Sequence, residues 1–169
     1  MAFHIGEKVV YPNQGVGVVE QIANRNLTGR NETFYLLRLT TTSMKVMVPM
    51  GSVQSVGLRR VARQNEIEDI LAYLEKGRCR NHRDWKDRYK ENVEKMRSGS
   101  LQEVAEVLKG LLILSQEKSL SFREKKMFDR AWQLLVDEIA VARGQDRQTI
   151  EANLVKALSK SNLKVQLPS

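Results

Sequence analysis

MKVMVPMGSVQSVGLRRVARQNEIEDILAYLEKG, residues 44–77, changes its hydrophobic period partway along. Met44, Val46 and Val48 alternate with Lys45, Met47 and Pro49, which predicts a strand with one face buried and the other exposed. From Ile67 the period lengthens: Ile67, Ile70, Leu71 and Leu74 recur at three and four residues and predict an amphipathic helix ending near Gly77. The change falls just after Gly57. The chain therefore reads as α+β in two domains, β first and α second.

Working back from that boundary, residues 1–62 carry several short strand signals. Lys8–Tyr11 is closed by the turn cluster Pro12-Asn13-Gln14-Gly15. Val16–Ile22 is rich in β-branched residues, and Phe34–Thr40 follows a polar segment, Asn24–Thr33, that reads as a loop. A last short strand is expected near Val53–Val56. So many short strands predict a small, strongly bent antiparallel barrel, with Gly15 and Gly17 relieving crowding at a bend. The Gly15-Val16-Gly17 sequence is not a dinucleotide loop, because neither GxGxxG nor a helix follows it.

Working forward, residues 63–160 predict a bundle of about five helices. After the first, a second runs from an Asp84 N-cap to Arg97 and stops at Ser98-Gly99. Ser100…Glu103 and Ser121…Glu124 have the spacing of capping boxes and open the third and fourth. Asp146 caps a fifth, with Ile150, Leu154, Val155 and Leu158 on its inner face. Residues 161–169 are expected to form a flexible tail.

The 169 residues carry a formal charge of +8, which suggests a polyanionic partner. The excess has one local peak, Lys76–Arg97, where nine basic residues face four acids. The single cysteine, Cys79, excludes an internal disulfide and a cysteine-based zinc cluster. No apolar run is long enough for a signal peptide or a bilayer span, so a cytoplasmic protein is expected. Two distant histidines, His4 and His82, and the lack of P-loop, GxSxG and HExxH motifs argue against catalysis. Neither an enzyme nor a bound cofactor or metal is expected.

Trp85 stands in the charged peak, in Arg83-Asp84-Trp85-Lys86-Asp87-Arg88-Tyr89-Lys90. An aromatic ringed by cations can press against a base step while its neighbours hold phosphates. The spacing Trp85, Tyr89, Val93, Met96 is equally that of a buried helix stripe. Trp132, mid-helix among Phe128, Leu135, Val136 and Ile139, is expected in the core.

These residues together resemble the CarD family of bacterial transcription factors, particularly its CdnL-type members. The resemblance runs through Phe3-His-Ile-Gly-Glu-Lys-Val-Val-Tyr-Pro12, Gln14-Gly-Val-Gly17, Val46-Met-Val-Pro49, Trp85-Lys-Asp-Arg-Tyr-Lys90 and Leu120-Ser-Phe-Arg-Glu-Lys-Lys-Met127. It implies a Tudor-like or SH3-like N-terminal barrel that binds the RNA polymerase β subunit, with Arg25, Leu27, Leu37, Met47 and Pro49 as contact residues. It further implies a helical domain that touches promoter DNA without reading its sequence. Trp85 would wedge into the minor groove at the upstream bubble edge, with Lys86, Arg88, Tyr89 and Lys90 around it. Related members carry a further basic residue at the position of Asp87. A monomer associated with the nucleoid through polymerase is implied. The competing reading is a module that bridges polymerase to another factor, with Trp85 buried.

Overall fold

A computed structural model describes residues 2–27, 29–79 and 84–165. Two compact units divide at Val61/Ala62. In the first, β1 (Lys8–Tyr11), β2 (Gly15–Leu27), β3 (Arg30–Leu39), β4 (Lys45–Pro49) and β5 (Arg59–Arg60) form one antiparallel sheet ordered β4-β3-β2-β1-β5. The β1–β2 turn places Asn13 (φ 62°) and Gly15 (φ 104°) in the left-handed region that asparagine and glycine tolerate best.

Most of the segment Asn24–Thr33, read as a polar loop, is instead ladder, in the ends of β2 and β3 at Asn24–Leu27 and Arg30–Thr33. Asn24 pairs with Thr33, Arg25 with Glu32 and Asn26 with Asn31, and the Thr33 hydroxyl donates to Asn24 Oδ1 at 2.7 Å. Cross-strand polar pairs stabilise a solvated ribbon without the apolar alternation that marks a half-buried strand. The register slips between Val19 and Gln21, a bulge that bends β2. Glu20, at that slip, meets Arg38 at 2.7 Å and Lys45 at 3.9 Å.

Val53–Val56, expected as a strand, is a single helical turn, α1, after a 3-10 turn at Met50–Ser52. Gly57 ends it at φ 83°, with its N–H directed to Val53 O and Gln54 O. Two valines three residues apart are too short a signal to tell a strand from a helical turn. Val53 is buried with Phe3, Val9, Val19, Tyr35, Leu37, Val48 and Leu58 in the core of this unit. The Tyr35 hydroxyl accepts from the Phe3 N–H at 3.1 Å, which ties the N-terminal segment to the sheet.

The second unit contains α2 (Gln64–Lys76), α3 (Trp85–Arg97), α4 (Leu101–Glu117), α5 (Phe122–Arg143) and α6 (Arg147–Ser159). Its core includes Trp132, stacked on Phe128, together with Ile67, Ile70, Leu108, Leu135, Ile150 and Leu154. Asp84, Ser100, Ser121 and Asp146 cap α3 to α6 with their side chains. Only Ser121–Glu124 forms the full reciprocal box; at Ser100 the residue's own N–H goes to Ser98 Oγ at 3.1 Å.

Among the described residues, Glu138 and Lys109 are charged side chains buried in this interior. Glu138 Oε2 accepts from the Ala62 N–H at 2.7 Å, fixing the start of the unit to α5. Lys109 Nζ donates to Tyr73 O (2.8 Å) and Gly77 O (2.7 Å), closing the C-terminus of α2. Burial holds the Lys109 ammonium below the usual lysine range, an effect that the neighbouring Cys79 thiol opposes. Burial and the hydrogen bond with Cys79, 3.0 Å away, push the Tyr73 phenol upward.

The chain beyond Lys160 does not fray at once. Ser161 Oγ donates to the carbonyls of Leu74 and Glu75, Lys160 reaches Glu75 at 2.9 Å, and Leu163 is buried in the helical core. The free carbonyls at the end of α2 need donors, and this segment supplies them. Residues 166–169 of the expected tail lie outside the described residues.

Candidate nucleic-acid interface

α3 begins where Asp84 accepts a hydrogen bond from the Lys86 N–H at 3.0 Å, making Trp85 the first helical residue. The Trp85 side chain, and all of Arg80 to Arg83, lie outside the described residues. Lys86 and Lys90 are exposed and stand one turn apart, so their ammonium groups share a face of the helix. Asp87 is exposed close to them.

Arg88 and Tyr89 do not join that exposed face. The Arg88 side chain is 15% exposed, and its Nη2 lies 3.3 Å from Glu124 Oε2 on α5. Its Nε is buried without a hydrogen-bond partner. Tyr89 is half-buried, with the Arg123 guanidinium carbon 5.8 Å from its ring centroid. Further along, Val93 is half-buried and Met96 buried, so the stripe read as core is core over its second half. The structure sets the guanidinium of Arg88, a residue expected at a phosphate, against the Glu124 carboxylate. Glu124 stands there because the capping box with Ser121 fixes it at the third position of α5. No reading of α3 by itself could identify that partner.

On the sheet, register sorts the polymerase candidates onto faces. Met47 stands opposite Leu36 and Pro49 opposite Phe34, while Phe34 faces Ala23 and Glu32 faces Arg25. Alternation then puts Met47, Pro49 and Arg25 on one face. Met47 is 40% exposed, Arg25 is exposed and Pro49 is half-buried on the edge strand. Leu37 points to the opposite face and is 0% exposed. The Leu27 side chain lies outside the described residues.

Besides Lys76–Arg97, the chain has a second, shorter basic peak. Lys118–Lys126 has four basic residues and one acid, and Arg123, Lys125 and Lys126 are exposed. A shorter charge window would have found it. Among the described residues no group of three or more His, Cys, Asp or Glu is placed to hold a metal ion. Among them, too, no helix is long and apolar enough to cross a membrane.

Residues 3–62 match the family model for the CarD-like/TRCF RID domain, and residues 69–155 match that for the CarD C-terminal domain. A putative transcription factor of Bacillus subtilis (strain 168), YdeB, is 33% identical over 150 residues, covering 89% of this chain and 98% of the relative. The solution NMR structure of the N-terminal domain of Myxococcus xanthus CarD is 42% identical, covering 36% of this chain and 80% of that one, with a TM-score of 0.31. CdnLNt from the same organism is 43% identical, covering 36% and 84%, also with a TM-score of 0.31. With both units matched in order and a relative aligned along nearly its whole length, the chain belongs to the CarD/CdnL family.

Proposed function

We propose that this protein regulates transcription initiation by binding RNA polymerase through its sheet unit and stabilising the open promoter complex through α3. The observation that carries the reading is the opening of α3. An aromatic residue, Trp85, begins a helix whose first two turns expose Lys86 and Lys90. Lysines one turn apart can bridge successive phosphates, and an aromatic beside them can insert at a base step. Neither group reads a base edge, so the contact is indifferent to sequence. Arg88 serves a different purpose in this scheme: it sets α3 against α5, so that the cations are presented on a rigid element.

The sheet supplies the polymerase contact through Met47, Pro49 and Arg25. These form an apolar centre with a cationic edge, next to the Arg38–Glu20–Lys45 ion pairs. The β subunit is the expected partner, as the family resemblance implies.

The test is the dissociation half-life of open complexes on a short-lived promoter, with polymerase alone, with the native protein and with Trp85→Ala. Wedging offsets an unstacking cost of a few kcal/mol, so the native protein should lengthen the half-life about tenfold or more. Trp85→Ala should lose that gain and still bind polymerase. Polymerase binding with no change in lifetime would favour the bridging module instead.

A further inference from the structure

Six methionines are present, and the fold sorts them unevenly. Met44, Met47 and Met50 are 51%, 40% and 39% exposed, whereas Met96 is 5% exposed and Met127 packs against the helical core. Met1 lies outside the described residues. The three open ones recur at every third residue across β4: one just before it, one within it and one just after it. β4 is an edge strand, and Met47 shares a face with Pro49 and Arg25. An extended chain rises about 3.3 Å per residue, so the three thioethers lie along roughly 20 Å of one sheet edge. A soft, unbranched apolar side chain adapts to a partner surface, and its sulfur is also the atom that peroxides oxidise.

We infer that Met47 is an oxidation site whose conversion to the sulfoxide by hydrogen peroxide releases this edge from polymerase. The inference rests on reading Met47 as a polymerase contact. In the step, the thioether sulfur attacks one peroxide oxygen, the O–O bond breaks, and the other oxygen leaves as water. Sulfur loses two electrons, and the peroxide gains them. The new S=O group is a strong acceptor set where the contact is apolar, so docking would bury it without a donor. Reduction by a dithiol, catalysed by methionine sulfoxide reductases, returns the thioether and gives a disulfide and water. Met44 and Met50, as open as Met47, oxidise alongside it, whereas Met96 is shielded inside the helical core.

The test treats the full chain with hydrogen peroxide, maps sulfoxides by peptide mass spectrometry, and measures binding to the cognate polymerase β subunit. Native protein, Met47→Leu and Cys79→Ser are each compared with their own untreated form, Cys79 being the chain's single cysteine. Treated native protein and treated Cys79→Ser should bind about tenfold more weakly, the loss expected for one unpaired buried acceptor. Met47→Leu should lose only a small part of its own affinity. Sulfoxide reductases for both epimers should restore the binding of native protein. Bound β subunit should also slow the conversion of Met47, because it covers the sulfur. Undiminished binding with Met47 fully converted would overturn the inference, as would an equal loss in Met47→Leu or a loss absent from Cys79→Ser. A lowered melting curve after treatment would overturn it too, by tracing the loss to the core. Equal binding by untreated native protein and Met47→Ala would instead sink the polymerase contact on which the inference rests.

Discussion

Arg88 on α3 and Glu124 on α5 are joined across the helical unit, Nη2 to Oε2 at 3.3 Å, with both side chains at most 15% exposed. Two cations two residues apart, Arg88 and Lys90, are thereby divided: one faces a carboxylate on the neighbouring helix, the other faces solvent.

Arg88→Gln should lower the stability of the protein by about 2 kcal/mol, because Glu124 loses a charge-assisted partner in a largely dry position. Urea unfolding of Arg88→Gln, Glu124→Gln and the double variant checks this. A double variant that loses as much as the two singles added together would show that the pair is not coupled.

Lys86→Gln and Lys90→Gln should behave oppositely. Each should leave stability within about 0.5 kcal/mol of native and reduce the slope of log affinity against log salt by about 0.9, one phosphate contact each. A salt titration of DNA binding measures this. An unchanged slope for both would remove them from the interface.

Leu37→Ala and Met47→Ala separate the two faces of the sheet. Leu37 is fully enclosed, so its truncation should cost about 2–5 kcal/mol and weaken polymerase binding only by unfolding the sheet. Met47→Ala should leave the melting curve nearly native and still reduce capture of the polymerase β subunit. Equal binding by native protein and Met47→Ala would move the contact elsewhere.

Lys109→Met should destabilise the helical unit by about 2 kcal/mol, since the carbonyls of Tyr73 and Gly77 would lose their shared donor. Gly77→Ala should be damaging through shape alone: a Cβ there would lie 2.2 Å from the Tyr73 ring. Thermal unfolding of both variants, followed by helical circular dichroism, is the check.

Asp146 gives a pH signature. Hydrogen bonds from the Thr149 side chain and backbone hold its carboxyl below the usual aspartate range. A depressed folded-state pKa contributes stability that is complete above the unfolded value, about 3.9, and is lost as pH falls through the lower folded value. Native protein should therefore melt above Asp146→Asn at neutral pH, and the gap should narrow in acid. A gap that stays constant down to strongly acidic pH would show that the carboxylate charge is not involved.

Much of this protein is local and so was readable along the chain. The helix caps at Asp84, Ser121 and Asp146, the period change after Gly57 and the burial of Trp132 all depend on residues within a few positions of one another. Trp85 was likewise legible, as an aromatic at a helix start among cations. Three misread segments show where local signals stop. Asn24–Thr33 needed knowledge of which polar side chain stands opposite which, Val53–Val56 needed the Gly57 closure, and the chain from Ser161 to Val165 needed the open carbonyls of α2. The sites divide along the same line. That Arg88 is bound to Glu124, that Leu37 faces inward while Met47 faces out, and that Phe122 stands exposed beside α3 were decided by the tertiary structure. Charge and hydropathy are properties of one residue, whereas exposure and pairing depend on what a distant segment brings to it.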